Sequence, residues 1–433
     1  MPEFLKLLAP DDARKLLLDA LAAPLADSET IPALAALGRT AAEDVVAPHP
    51  LPEFPRSSMD GYAVRGRDTY GASDSLPAYL LLIGEVPMGG RPPFPLQPGE
   101  CALIHTGGML PEGADAVVML EYTQTNQPPQ ASANPEAPPS EIEIRRAAAE
   151  GENVIHVGED VKEGQLVIPK GSLLRPAEIG GLAALGVEVL RVAIRPKFGL
   201  ISTGDEVVPA EQSPSPGQVR DVNTYSLAAL IERSGGEPVR FGIVRDSFEE
   251  LQAIARQVLE ACDALIITAG SSASARDMTA AVINTLGAPG VLVHGINTRP
   301  GKPTILAVCG GKAVIGLPGN PVSALVNGYL FVDPVVERLL GALPRPRPSL
   351  LARLSVNLAS QAGREDWWPV RVVRDSGAEL GGGAGSGLKY LAEPIFGKSN
   401  LIFTLAAADG LLKIPADATG LEAGAVVVVW LLT

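Results

Sequence analysis

The chain has 433 residues, 46% of them apolar and only 19% charged, which is material for about three compact units of roughly 150 residues. Thirty-five Lys+Arg against 49 Asp+Glu leave a net charge of −14, and aromatic residues make up 4%. That balance argues against nucleic acid or an anionic membrane as partner for the whole surface, because either needs a basic face and single strands also need stacking rings. A local basic pocket for a small anion stays open. With 46 Gly and 39 Pro, many tight turns are expected. Cys101, Cys262 and Cys309 lie far apart with no metal-ligand spacing, which fits thiols in a reducing compartment. The start, MPEFLKLLAPDDARKLL, is unlike a signal peptide, and the longest uncharged apolar run, 423–432, is too short to span a bilayer. A cytoplasmic protein is expected.

Residues 10–24 place Ala13, Leu16, Leu17, Ala20 and Leu21 on one stripe behind Asp11 and Asp12, predicting an amphipathic helix with its acids at the favourable end. A second short helix is expected from about Ile31 to the Gly38 region. From 49 to about 151, short β-type runs (78–83, 101–105, 116–120) broken by Gly and Pro predict a small inserted β domain. Within it, TNQPPQASANPEAPPS at 125–140 reads as a solvated hairpin tip. Residues 172–190 look helical around 177–185 and are expected to pack back on the N-terminal helices, making the first unit discontinuous.

From Lys197, apolar β runs (198–202, 239–244, 264–268, 291–296, 313–316) alternate with helical stretches (224–234, 248–261, 279–286, 322–340). This predicts a doubly wound, mostly parallel sheet with helices on both faces. A Pro-rich joint, LPRPRPS at 343–349, precedes an all-β tail with a Gly-rich insert at 381–387. The expected division is 1–50 with 152–193, then 51–151, 194–342 and 343–433.

In such sheets ligands sit beyond the carboxyl ends of the strands. Those ends read Ser202-Thr203-Gly204-Asp205-Glu206, Arg245-Asp246, a small-residue loop from Ala269-Gly270-Ser271 to Arg276-Asp277, and Gly316-Leu317-Pro318-Gly319-Asn320-Pro321-Val322-Ser323. Small residues let a phosphate approach backbone N–H groups. Asp205, Glu206, Asp246 and Asp277 on one rim would repel an anion unless a divalent cation such as Mg²⁺ bridges them to it. Any one of these loops taken alone reads as caps and turns; four on one edge point to a phosphorylated ligand. Arg299-Pro300-Gly301-Lys302-Pro303 holds two cations in a rigid turn, suited to an oxyanion or to plain solvation. It lacks the form of a nucleoside-triphosphate loop. The four histidines, His49, His105, His156 and His294, are scattered and read as turn or core residues, and Glu53, Glu85 and Glu121 as solvated.

Pro55-Arg56-Ser57-Ser58-Met59-Asp60-Gly61-Tyr62-Ala63-Val64 resembles the signature of the molybdopterin molybdenumtransferases, the family of bacterial MoeA and the C-terminal enzymatic region of gephyrin. Leu37-Gly38-Arg39, Thr106-Gly107, the 110–118 segment, Gly158-Glu159-Asp160, Leu174-Arg175-Pro176-Ala177-Glu178-Ile179 and the strand ends above support it in order. The resemblance implies a homodimer of four-domain subunits with a molybdopterin-binding α/β domain and a β-barrel-like C-terminal domain. It implies insertion of molybdate into adenylylated molybdopterin with release of AMP, aided by Mg²⁺ or another divalent cation. Residue by residue, it implies Asp205, Glu206, Asp246 and Asp277 as metal and nucleotide ligands, with Asp60 and Thr106 brought to the site by the other subunit. Glu206, Asp246, Asp277 and Lys302 join Asp60 and Thr106 as catalytic candidates. Arg299, Lys302, Arg364 and Ser399 become molybdate ligands, and Ser323 an initial contact. Thr203, Gly204, Gly270, Ser271, Pro318, Gly319 and Asn320 become the cradle for the pterin nucleotide. The chain has Arg299 where the family commonly has lysine, and its 270–275 loop is one residue shorter. The competing readings are the preceding adenylyl transfer, whose enzyme is also a candidate partner, and a non-catalytic cofactor-binding scaffold.

Overall fold

Pro10, which has no amide hydrogen to leave unsatisfied, opens helix α1 (Pro10–Ala20), with Asp11 and Asp12 in its first turn. The computed structural model describes residues 7–22, 24–25, 27–125, 140–269, 273–375 and 388–432. The buried face of α1 is narrower than the expected stripe: Ala13, Leu17 and Leu21 are buried, whereas Leu16 is 41% exposed. That face joins Phe198, Ile266 and Leu306 in the core of the α/β sheet. The expected second helix is instead a strand, Ser28–Pro32, followed by one 3-10 turn, Ala33–Ala36. Antiparallel pairing of 28–32 with Val189–Ala193 overrides the local helical preference of the alanines.

Ala33, Ala36, Leu174, Leu182 and Val192 share one small core, so the chain leaves this layer and returns to it. Helix α2 (Pro176–Ala184) lies on the return pass. Its start is the 174–179 motif: the Arg175 N–H donates to the Glu178 carboxylate at 2.9 Å, and the Arg175 guanidinium binds the same group. These bonds hold the Glu178 carboxyl down at about 2. That motif therefore serves as a helix cap. Between the two passes lies a six-stranded sheet in the order 116–119, 61–64, 100–104, 78–85, 141–144, 123–125. Tyr62 and Val64 face one core while Ala63 and Ile104 face another, the period-two alternation of a sheet covered on both sides. The strands 123–125 and 141–144 pair antiparallel, and residues 126–139 of the expected tip lie outside the described residues.

In the next unit the strands run Glu237–Val244, Lys197–Thr203, Ala264–Ala269, Lys312–Pro318, Ile305–Cys309, Pro289–His294 across one sheet. The first four are parallel, Ile305–Cys309 runs antiparallel to them, and Pro289–His294 pairs antiparallel with it in turn. Sequence reading missed Ile305–Cys309, which continues out of the 299–303 turn. Helices α3 (Asn223–Arg233), α4 (Phe248–Ala261) and α5 (Ala273–Ile283) cover the sheet, α5 starting earlier than expected. Phe198, Leu200, Ile266 and Ile315 face α1 and α3, while Ile201, Ile267 and Val314 face α4 and α5. Truncating a residue as buried as Phe198 to alanine costs about 3–5 kcal/mol. Because 237–244 and 264–269 lie on opposite sides of 197–203, the strand order reverses there, and a crevice opens at the carboxyl end. The expected 322–340 helix is α6 (Pro321–Asn327), a π turn (Gly328–Val332) and α7 (Asp333–Leu340), capped by Gly341 at φ +64°.

Past the Pro-rich joint, strands Ser349–Leu354, Glu365–Arg374, Tyr390–Pro394, Gly410–Ile414 and Val426–Leu431 close on themselves as a five-stranded barrel, with the unexpected short helix α8 (Ile402–Ala406) beside it. Residues 381–387 lie outside the described residues. The two-residue strand Thr298–Arg299 leaves the α/β unit and pairs in parallel with the barrel, Thr298 to Glu365 and Arg299 to Asp366. No helix among the described residues is long and apolar enough to cross a membrane.

Candidate active site

That short pairing puts the Arg299–Pro303 turn and the start of the 365–374 strand on the wall of one cavity, about 910 Å³ in volume. Arg299, Lys302, Arg364, Ser323, Ser399, Pro318 and Asn320 all line it, so seven of the expected ligands from both units meet in one place. Lys398 also lines it, and among the described residues Asp366 is the one carboxylate on its wall. Four cations against one acid make a positive pocket in a chain of net charge −14. Such a pocket draws in anions while the remaining surface repels them.

Asn327 holds the turn from beneath. Its amide donates to the Ser323 carbonyl at 2.8 Å and to the Pro300 carbonyl at 3.2 Å, tying the turn to α6. Gly301 lies against it at φ +101°, and a Cβ there would collide with the Asn327 side chain. From the barrel side, the Val322 N–H donates to the Ser399 carbonyl at 3.0 Å, which seats the 397–400 loop on the start of α6. Gly397 leaves room for Thr404 of α8, another lining residue.

Sequence reading missed Asp366 and Asn327. Asp366 is 1% exposed; it accepts from Arg364 Nε at 2.9 Å and lies 3.5 Å from Arg299 Nη1. The Arg299 guanidinium also lies over the Trp368 ring, 5.6 Å from its centre. A barrel strand beginning with two acids and two tryptophans was the available signal.

A second group stands at the carboxyl ends of 197–203 and 237–244. Burial, then the neighbouring carboxylates of Asp205 and Glu206, raise the Asp246 carboxyl above its usual range, against an opposing pull from the Thr203 side chain. The buried Thr203 hydroxyl closes no hydrogen bond of normal geometry. Gly204, at φ +140°, lies under the Glu206 carboxylate. In the next loop, Asn223 donates to the Gly319 carbonyl at 2.9 Å, joining the start of α3 to the Pro318–Asn320 corner. The strands ending in Thr203 and Pro318 are separated by one strand, so those two ends lie roughly 10 Å apart along one sheet edge, and the strand before Asp246 is one spacing further out. Asp277 stands exposed on α5, and Gly270 and Ser271 lie outside the described residues. Among the described residues no three acidic, histidine or cysteine side chains converge on a point that could hold a metal ion.

Asp60 and Thr106 form a third group, in the inserted sheet. The Thr106 backbone N–H and hydroxyl donate to the Asp60 carboxylate at 2.7 and 2.9 Å. Those bonds, with a smaller contribution from His105, lower the Asp60 carboxyl. His105 opens the expected turn, its carbonyl accepting from the Gly108 N–H at 2.8 Å, and its ring lies 3.8 Å from Asp60 and 3.2 Å from Glu85. Gly61 follows where a Cβ would strike the Val118 carbonyl, which explains the glycine after Asp60. Neither Asp60 nor Thr106 lines the cavity within the same chain.

Comparison with known proteins matches residues 8–186 to the MoeA N-terminal region (domain I and II), 199–338 to a probable molybdopterin binding domain, and 351–432 to the MoeA C-terminal region (domain IV). A molybdopterin molybdenumtransferase of Nostoc sp. is 35% identical over 318 residues, 73% of this chain and 70% of that protein. Molybdopterin molybdenumtransferase 2 of Mycobacterium tuberculosis is 32% identical over 409 residues, 93% of this chain and 95% of that protein. The crystal structure of a molybdopterin biosynthesis moeA protein from Pyrococcus horikoshii superposes with a TM-score of 0.81 at 30% identity, covering 98% of this chain and 100% of that one.

Proposed function

We infer the reaction from one premise: the chain belongs to the molybdopterin molybdenumtransferase family, a family of transferases in molybdenum cofactor biosynthesis. The reaction is insertion of molybdate into the dithiolene of adenylylated molybdopterin, with cleavage of the adenylate bond and release of AMP. The observation that carries this reading is the cavity shared by the α/β unit and the barrel, with four cations and the hydroxyls of Ser323 and Ser399 on its wall. Guanidinium, ammonium and hydroxyl donors suit a tetrahedral dianion, and their fixed placement spares it the reorganisation that water would need.

The adenylate end belongs at Thr203, Gly204 and Asp246, roughly 10–15 Å along the same edge. Oxygen donors of this kind suit Mg²⁺, which is ordinarily held by one or two carboxylates together with substrate phosphates and water. Asp205, Glu206 and Asp246 fit that pattern: the first two are close enough to raise the Asp246 carboxyl, yet the three do not converge into a cage. A bound divalent cation would offset phosphate charge during cleavage. Asp60 and Thr106 complete the site from a second subunit, which makes the working unit a homodimer. The draw of Arg364 and Ser399 from the barrel favours insertion over adenylyl transfer, which handles no molybdate.

The test is direct. Purified protein given adenylylated molybdopterin, molybdate and Mg²⁺ releases AMP and yields cofactor that activates a molybdenum-free acceptor enzyme. Folded protein that gives neither product refutes the reading, and ATP consumption with free molybdopterin would put adenylyl transfer in its place.

A further inference from the structure

We propose that Asp366 is the built-in counterion of the anion cavity: a positioning residue that fixes Arg364 and holds Arg299 only until an entering oxyanion takes that guanidinium over. The inference rests on the reading that molybdate is the anion. The two arginines are held unequally. Arg364 donates from Nε to Asp366 Oδ1 at 2.9 Å, which spends one N–H and orients the remaining fork. Arg299 comes no closer than 3.5 Å to Oδ2, and that oxygen, although buried, accepts no hydrogen bond. Arg299 is itself half-exposed. The parallel pairing of Arg299 with Asp366 keeps the two side chains opposed, so this looseness belongs to the backbone register.

A carboxylate in this position has two effects on a dianion. It keeps two guanidiniums near each other before the anion arrives. Once the anion is bound, Asp366 repels it, which weakens binding and favours handing it on. Affinity is thereby traded for transfer, as a site that passes on its cargo requires.

The experiment compares the full chain with Asp366→Asn, which keeps the shape and the Oδ1 acceptor for Arg364 but removes the charge. Calorimetric titration with sodium molybdate at low salt is expected to show binding about tenfold tighter in the variant, from loss of a partly screened repulsion. In the transfer assay KM for molybdate and kcat should fall together, whereas damage to packing would raise KM. Modification by an arginine-selective dicarbonyl, read by peptide mass spectrometry without molybdate, should be several-fold faster at Arg299 and unchanged at Arg364. Equal or weaker molybdate binding by folded variant, or unchanged Arg299 labelling, overturns the proposal. Should Asp366→Asn fail to fold, Arg299→Met decides. It leaves Asp366 facing the anion with less compensation, so it must weaken molybdate binding more than Lys302→Met does, and an equal loss overturns the proposal. A wild-type chain that binds no molybdate refutes the reading of the cavity's cargo, while the labelling comparison still decides the role of Asp366.

Discussion

Replacing Gly301 by alanine tests whether the cationic turn is rigid because of what lies beneath it. The backbone there has φ +101°, where an L side chain is strained by about 1–3 kcal/mol. The new methyl also falls inside the 3.0 Å that real Cβ contacts essentially never cross, against the Asn327 amide. Asn327 cannot retreat freely, because its amide is bonded to the carbonyls of both Pro300 and Ser323. Forced overpacking of this kind adds about 1–3 kcal/mol, for a total of about 2–6 kcal/mol. Gly310→Ala is the control: φ is +59° with nothing within 4 Å of the added carbon, so only the backbone strain of about 1–2 kcal/mol applies. Apparent stability by urea titration, followed by the fluorescence of the three tryptophans, Trp367, Trp368 and Trp430, separates the two variants. Because Arg299 and Lys302 flank the altered residue, a shift near 1 Å should also cut transfer activity about 100-fold in Gly301→Ala and leave Gly310→Ala active. Equal stability of the two variants, with activity preserved in both, would refute the argument that Asn327 braces the turn.

Charge gives the next expectations. Lys302→Met and Arg364→Met should each weaken molybdate binding about 10–100-fold, the worth of a charged hydrogen bond, with a shallower salt dependence than the parent. Asp246 has its carboxyl raised by burial and by Asp205 and Glu206, so its contribution to stability is present below its ordinary value of 3.8 and is lost as pH rises through the raised one. Asp246→Asn should therefore raise the thermal midpoint at pH 7, with the gap closing as pH falls toward 3.8, while AMP release is abolished. Full AMP release by that variant would remove Asp246 from the catalytic machinery. If Asp60 acts in a partner's site, Asp60→Asn and Asp246→Asn chains, each inactive, should regain about a quarter of parental activity when refolded together at equal amounts, because each mixed dimer keeps one intact site. Failure of mixing to restore activity would place Asp60 elsewhere.

The α/β unit was legible because its strands alternate two buried faces, so a purely local pattern carried its architecture. The strand Ile305–Cys309 was missed for the same reason that it works. It follows a five-residue turn dense in Pro and charge, and its pairing with Lys312–Pro318 is decided by tertiary neighbours. Ser28–Pro32 was misread because its partner, Val189–Ala193, lies far along the chain. In the site, exposed cations in short motifs could be recognised, but the groups that orient them could not. Asp366 and Asn327 matter through burial and through hydrogen bonds to residues distant in sequence. His105 likewise gained its setting between Asp60 and Glu85 only on folding.

The two-residue strand at Thr298–Arg299 also bears on anyone hoping to trim this chain to a minimal catalyst. Severing it at the proline-studded joint would leave an α/β fragment whose sheet is intact but which has lost Arg364, Lys398 and Ser399. The barrel by itself would lack Arg299 and Lys302. Neither half is expected to carry a dilute version of the activity, because the cationic pocket exists only as a seam between them.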